Sequence, residues 1–377
     1  MKININKKSL LKCLDTVNKA VPQRAIMPIT HNFLFVVMKN TCTVYAYNGK
    51  LQIKGQFAVE SKEDFGMCVP ANTLMNTVKL LSDEEFVFNY DPAKFILNII
   101  AGKKKYKMSG FNPKDFPIQK VKGDDLIEIK LQTSQIIDHI KRLSNIVDWS
   151  EMRESLAGVT MLVNNGVLEI TGVHGGRYFY RGITSIKPET DFGIVLHKDI
   201  SVAIGQALGK GDTEIVVGKR NLSVKMDGFE YTSVLMDVKA PLVVENYFDY
   251  DSEKYIVIDK NEFLGSLRRL SNYSNEDSTL LLEIKGNELK LNSENVSYSI
   301  DAEEIIDIQN KDVEDRVFGL SINYLLSILG NISGEKIKIL NGTGKIKMVC
   351  IQDYENVDYT EMWGLGEFVI NAKTEVE

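Results

Sequence analysis

Residues 5–21 read INKKSLLKCLDTVNKAV, and the chain writes this stretch three times. Residues 131–146 read LQTSQIIDHIKRLSNI, and residues 258–273 read IDKNEFLGSLRRLSNY. Aligning Leu10, Ile136 and Phe263 brings Leu14, Ile140 and Leu267 into register, then Val17, Leu143 and Leu270. Apolar residues at i, i+4 and i+7 mark one face of a helix. Each copy follows a short β-like run and opens with residues that suit a helix entry: Asn6, Thr133 with Ser134, and Asp259. Successive copies lie 126 and 127 residues apart. A period that long predicts three similar domains, because solenoid repeats run nearer roughly 20–50 residues.

What surrounds each copy repeats as well. In the first third, strands are predicted at 31–37, 41–47 and 51–59, with a hairpin at Lys39-Asn40. A helix follows at 73–81, entered through Pro70, whose missing N–H would be unpaired in a first turn anyway. Strands at 85–90, 94–101 and 104–109 close the unit. The central third predicts strands at 158–163, 167–171, 177–183 and 194–196, a helix at 199–208, and strands at 214–217, 221–226 and 230–235. Its turn Asn164-Asn165-Gly166 is a strong hairpin signal, because Asn and Gly both accept positive φ. The last third predicts strands at 279–284, 288–292, 296–301 and 317–320, a helix at 322–329, and strands at 336–340, 345–351 and 358–362, with a turn at Lys285-Gly286-Asn287. Each third thus reads as β-α-β-β-β twice, an α+β architecture with helices backed by sheet. The domains are set at 1–120, 124–244 and 250–366, with linkers at 111–125 and 238–253 and a tail, 367–377, that has no counterpart in the other thirds.

The bulk numbers exclude several classes. A chain of 377 residues suits two or three domains, and 44% hydrophobic with 25% charged residues is ordinary for a protein with a real core. No run approaches the ~18 apolar residues of a membrane span, and the N-terminus lacks the apolar core of a signal peptide. A cytoplasmic protein with no membrane attachment is expected. Cys13, Cys42, Cys68 and Cys350 share no CxxC spacing and read as free thiols. The four histidines have no metal-ligand spacing, so no metal and no cofactor are expected. Gly342-Thr343-Gly344-Lys345 is no Walker loop, since Ile339 and Ile346 stand where Gly and Ser or Thr are needed. There is no G-x-S-x-G elbow, and the carboxylate pairs Asp124-Asp125 and Asp249-Tyr250-Asp251 fall in linkers. The chain therefore reads as a non-enzyme.

Charge is segregated. The net charge is −6, yet the six predicted helix segments (6–19, 70–82, 133–146, 198–210, 260–273 and 320–333) hold 12 Lys and Arg against 4 Asp and Glu. The helices carry +8 and the remainder −14. If the helices line one surface, that surface can hold a phosphate backbone without touching bases. The general preference of helices for Lys and Arg over Asp accounts for the count equally well. The threefold repeat favours the binding surface.

Local sequences then carry a resemblance. Arg24-Ala25-Ile26-Met27-Pro28-Ile29 follows the first helix, Phe116-Pro117 opens the first linker, and Leu156-x-Gly158 precedes the central hairpin. Gly175-Gly176-Arg177-Tyr178 forms a loop, and Ser274-Asn275-Glu276 follows the third domain's first helix. In that order and spacing, residues 1–365 resemble the bacterial β sliding clamp, the processivity subunit of DNA polymerase III. The match is divergent and fits a phage or mobile-element version as well as a chromosomal one. The resemblance implies three clamp domains per chain and two chains paired head to tail in a closed ring, helices lining the inside and sheets outside. Double-stranded DNA would pass through, and the ring, placed by a clamp loader, would tether the replicative DNA polymerase and other clamp-binding-motif proteins.

The resemblance also assigns residues. The partner-peptide pocket would use Leu156, Val173, Gly175, Arg177, Tyr178, Pro241, Tyr324 and Met362. Two departures bear on it: Gly176 stands where the family has histidine, and Met362-Trp363-Gly364-Leu365-Gly366 runs on where the family chain ends. For DNA, Arg24 matches an inner-rim arginine. Lys12, Lys19, Lys79, Lys141, Arg142, Lys198, Arg268 and Arg269 are chosen for lying in or beside the lining helices. Tyr106, on an edge strand, and Tyr273, on the third domain's first helix, are the expected ring-interface aromatics. The alternative is a clamp-like interaction scaffold, or an inhibitor of a host clamp, that does not slide on DNA by itself.

Overall fold

A computed structural model describes the chain except residues 25, 124, 176–177, 187–190, 208, 242–249, 343–347, 356–360 and 368–377, and except the side chains of Gly342 and Met348. The expected Arg177 pocket position, Gly176, the Thr343–Lys345 turn, Asp124, Asp249 and nearly all of the tail lie outside the described residues.

The three aligned copies become helices α1 (Lys7–Val17), α3 (Ser134–Ile146) and α5 (Lys260–Leu270). All nine aligned apolar residues are buried. Asn6 Oδ1 accepts from Ser9 N at 3.1 Å, and Asp259 Oδ1 from Glu262 N at 2.9 Å, so both expected entry residues satisfy an orphan first-turn donor. The second helix of each third is α2 (Ala71–Leu80), α4 (Lys198–Gly205) and α6 (Ile322–Asn331). Pro70 is the residue that caps α2 and ends a strand, Phe65–Pro70, which the sequence reading did not anticipate.

One feature recurs in all three thirds. The third residue of each copy, aligned as Lys7, Thr133 and Lys260, grips the chain just after the second helix of its own third. Lys7 Nζ donates to the Leu81 carbonyl, Thr133 Oγ1 to that of Lys210 at 3.4 Å, and Lys260 Nζ to that of Ile332 at 2.9 Å. The backbone N–H of the same residues donates to Glu84, Gly211 and Glu335. Carbonyls at a helix C-terminus lack intrahelical partners and carry partial negative charge, so a cation or hydroxyl there is favourable.

The chain forms two compact units: Met1–Lys141 with Ile186–Thr190 and Leu196–Asp237, and Arg142–Ser185 with Asp191–Val195 and Val238–Glu377. The central third is thus divided between them. The first unit holds a four-stranded sheet, in the order Lys2–Asn6, Glu85–Asp91, Ile96–Ala101, Lys104–Ser109. Its eight-stranded sheet runs Phe65–Pro70, Asn32–Met38, Thr41–Tyr47, Leu51–Ala58, Phe229–Val234, Asn221–Met226, Asp212–Val217, Ile127–Gln132. The second unit holds a nine-stranded sheet: Phe192–Leu196, Val159–Asn164, Val167–His174, Tyr178–Ser185, Glu361–Gly366, Met348–Asp353, Lys336–Gly342, Tyr250–Asp259, Gln309–Lys311. Its four-stranded sheet runs Ile300–Asp307, Glu288–Asn295, Thr279–Lys285, Arg316–Ser321. The expected hairpin turns carry positive φ at Lys39, Asn40, Asn165, Gly166 and Gly286. The expected strand at 296–301 is instead a 3-10 turn, Val296–Tyr298, followed by left-handed Ser299 and a strand from Ile300.

The large sheets join different thirds edge to edge. In the first unit, Leu51–Ala58 pairs with Phe229–Val234; in the second, Tyr178–Ser185 pairs with Glu361–Gly366. Across the first junction runs one registered row of alternating charge: Lys54, Glu230, Lys225, Glu214, Lys130. Lys54–Glu230 and Lys225–Glu214 close at 2.9 Å each. Residues 116–121 lie along this junction, with Gln52 and Gln119 exchanging two hydrogen bonds (3.0 and 2.8 Å) and Asn221 donating to the Lys120 carbonyl at 3.0 Å. A groove of about 1090 Å³ opens over the ladder, but its charges already answer one another.

Candidate nucleic-acid and peptide sites

The helices sort their cations by use. Lys12 lies exposed on α1, Lys198 at the start of α4, and Arg268 on α5; Arg24, in the loop after α1, and Lys141, on α3, are exposed too. Other expected contacts are already engaged. Lys79 on α2 pairs with Asp15 on α1 at 3.4 Å. Lys19 is partly buried, donates to the Gln206 carbonyl at 3.4 Å, and burial lowers its pKa. Arg269 makes a two-pronged bond to Glu304 at 2.7 and 2.6 Å. Arg142 is a correction to the sequence reading. Its guanidinium is tucked inside the second unit, bonded to Glu361 and to Tyr180 Oη (3.1 Å) and lying over the Tyr180 ring. The alternation of α3 turns it toward the sheet, where it neutralises a half-buried carboxylate. Lys7 and Lys260, counted in the helix charge, are the carbonyl clasps described above. The net helix charge therefore overstates what a phosphate backbone would meet.

The register sorts the expected pocket residues into two groups. Leu156, Val173 and Met362 share one buried apolar cluster with Phe179, Leu340 and Cys350, flanked by Tyr250 and Tyr255. Tyr178 points to the opposite face of the same sheet, because Val173 pairs with Phe179 and His174 with Tyr178. There Tyr178 stacks on Tyr324 with centroids 5.0 Å apart, and its hydroxyl lies 3.2 Å from Ser327 Oγ. His174 meets the Tyr324 ring edge-on at 5.7 Å. Gly175 is exposed with φ +56°, a turn position that an L side chain rarely takes. Pro241 is half-buried. Sequence reasoning missed Trp363, which is fully buried, packs on Tyr180 at 4.5 Å and stacks with Tyr178 at 6.0 Å. Its signal was the departure at Met362–Gly366: the strand simply continues, and tryptophan fills the helix-facing side.

Tyr106 is exposed on Lys104–Ser109, the outer strand of its four-stranded sheet. Tyr273 is exposed as well, on the 3-10 turn Ser271–Tyr273 that follows α5 rather than on the helix itself. The outer strand of the other four-stranded sheet, Ile300–Asp307, packs beside that turn.

Comparison with known proteins now has a fold and two sites to bear on. The family model for the DNA polymerase III beta subunit N-terminal domain matches residues 1–120, and the model for its C-terminal domain matches residues 247–363. The beta sliding clamp of Pseudomonas aeruginosa is 24% identical over 369 residues, covering 96% of this chain and 99% of the relative. The chain belongs to the DNA polymerase III beta subunit family. The crystal structure of the P. aeruginosa DNA polymerase III subunit beta covers 98% of this chain and 100% of its own at a TM-score of 0.88 and 21% identity. The Bacillus subtilis DNA polymerase sliding clamp gives 0.87 at 19% identity. This family member thus keeps the clamp fold while most side chains have changed, and its site residues are judged from its own geometry.

Proposed function

We infer that the protein is a DNA sliding clamp: two copies close a ring around duplex DNA, and the ring tethers a polymerase. One observation carries this. Within the chain, the last strand of the first hairpin pair in one third joins the last strand of the next third: Leu51–Ala58 with Phe229–Val234, and Tyr178–Ser185 with Glu361–Gly366. The same rule leaves two strands over, Ile300–Asp307 in the last third and Lys104–Ser109 in the first, each at the rim of a four-stranded sheet. A rim strand presents unpaired backbone groups and invites another strand. A second copy supplies the missing partner at both rims, which closes a two-chain ring head to tail.

The rims are complementary in charge. Lys105 and Lys107 lie on the face of their sheet opposite buried Met108, and Asp301, Glu303 and Asp307 on the face opposite buried Ile306. Lysine rims repel each other, and so do acidic rims; only the head-to-tail pairing is attractive. Tyr106 and Tyr273 add apolar cover. Inside the ring, Arg24, Lys12, Lys141, Lys198 and Arg268 would meet phosphates without reading sequence. Leu156, Val173 and Met362 would form the floor for a partner's apolar peptide. The protein performs no chemistry in this role, and a bacterial or phage-infected cytoplasm is its place of work.

A second reading, a clamp-fold scaffold or clamp inhibitor, is favoured by the internal commitment of Lys7, Lys79, Arg142, Lys260 and Arg269. Retention on nicked circular against linear duplex decides between them. A clamp stays on circles and runs off linear ends; a scaffold is retained on neither.

A further inference from the structure

Helix α4 is short, and the first third of the chain holds it at both ends. Its eight residues, Lys198–Gly205, are too few to persist as an isolated helix. At its C-terminal end Lys19 Nζ donates to the Gln206 carbonyl at 3.4 Å. At its N-terminal end the turn at 48–50 makes two contacts. Asn48 Nδ2 donates to Asp199 Oδ2 at 2.8 Å, and Lys50 Nζ donates to His197 Nε2 at 2.7 Å. The turn is itself tied down, which aims both side chains. Asn48 Oδ1 accepts from the backbone N–H of Lys50 and of Leu51, and the Lys50 carbonyl accepts from Val234 N.

Only one state of the His197 ring allows the Lys50 bond. A neutral imidazole has a single lone pair to offer. Two donors approach it: Lys50 Nζ at Nε2, 2.7 Å away, and the backbone N–H of Asp199 at Nδ1, 3.4 Å away. The shorter, charge-assisted contact claims the lone pair. The ring proton then sits on Nδ1, which faces the Asp199 carboxylate at 3.9 Å. Protonation of Nε2 removes the acceptor and sets an imidazolium against an ammonium. The charged groups around the ring are Lys50 from the turn, with Asp199 and Lys198 from α4. Burial first, and Lys50 next, favour the neutral ring; Asp199 opposes them and Lys198 adds to them. The ring is therefore neutral at pH 7.5 and takes its charge on acidification.

We propose that His197 and Lys50 form a proton-operated latch between the first and second thirds of the chain. With the ring neutral, the ammonium is held against the start of α4. When Nε2 takes a proton from solvent, the hydrogen bond is lost and the two cations separate. Lys50 swings free, while Asn48 and Lys19 keep α4 in place. The switch changes charge as well as geometry. It adds one positive charge at His197 and releases a second at Lys50, both beside Lys198, which is exposed at the start of the same helix. The consequence for nucleic acid rests on the DNA reading of Lys198. On acidification a phosphate backbone meets two further cations there, so retention lengthens. Lys50 thus joins the DNA surface only in the protonated state.

The first readout needs no DNA. The full chain carries isotope-labelled histidine, and the His197 ring signal, identified by its loss in His197→Gln, is titrated by NMR. Lys50→Met should raise the His197 midpoint by about one pH unit, because it removes the nearest positive charge, and Lys50→Arg should keep the midpoint low. A midpoint that Lys50→Met leaves in place overturns the latch. The second readout is the half-life on nicked circular duplex at about pH 7.5 and about pH 5.5 in fixed salt, with the pH chosen to span the titration. The wild type should gain several-fold in half-life on acidification, and His197→Gln and Lys50→Met should gain less. A gain no larger in the wild type than in His197→Gln overturns the DNA consequence. Retention of no form at either pH overturns the clamp reading instead, and the midpoint still decides the latch.

Discussion

At the scale of single residues, the sequence marks where charge is and cannot say what it meets. Arg142 and Lys141 are adjacent on one helix, yet only Arg142 turns inward to Glu361 and Tyr180. Arg142→Leu should destabilise the protein by about 1–3 kcal/mol in urea denaturation, by removing the cation bonded to the Glu361 carboxylate and the buried Tyr180 hydroxyl. It should not change the salt dependence of DNA retention. His197 shows the same principle in titration. It accepts from Lys50 Nζ at 2.7 Å, and burial, with Lys50 beside it, lowers its pKa below the ordinary 6.5. The folded state then binds the proton less readily than the unfolded chain. Its stabilising share is complete above about pH 6.5 and falls away as the pH drops toward the lowered value. Melting temperatures between pH 7.5 and 5 should fall more steeply for the wild type than for His197→Gln.

At the scale of elements, the periodicity of residues 5–21 and its two copies was legible because an amphipathic helix needs little beyond its own spacing. The clasp made by Lys7, Thr133 and Lys260 was not, since its acceptors lie more than 70 residues away. Thr133 also shares a buried 2.7 Å hydrogen bond with Thr213 Oγ1. Thr133→Val should therefore cost about 1–2 kcal/mol, against at most ~1 for Lys7→Met, which makes no second, fully buried side-chain bond of this kind; denaturant midpoints with constant slope would check both. The charge ladder belongs here too. Exposed pairs contribute little singly, but Glu230→Lys sets three lysines side by side in one row. Its melting temperature should drop at low salt and recover substantially in 0.5 M salt.

At the scale of the whole molecule, the proposed ring rests on the two leftover rims. Lys105→Glu with Lys107→Glu should turn the dimer to monomer by light scattering. Adding Asp301→Lys and Asp307→Lys to the same chain should restore it, a result that a purely apolar interface would not give. Reversing Lys12, Lys198 and Arg268 to Glu should shorten retention on circular DNA and flatten its salt dependence, while leaving the mass unchanged. Unchanged retention would move the DNA surface away from these helices.

By itself the sequence determined the threefold repeat, the helix faces and most strands. Each of these is written in local spacing, which short-range sterics and burial read directly. Only the tertiary structure decided which strands of different thirds join, that the expected pocket residues fall on two faces of one sheet, and that Arg142, Lys79 and Arg269 are tied to carboxylates of their own chain. Those outcomes depend on partners far apart in the chain, and register and burial choose among them only once the sheets have formed.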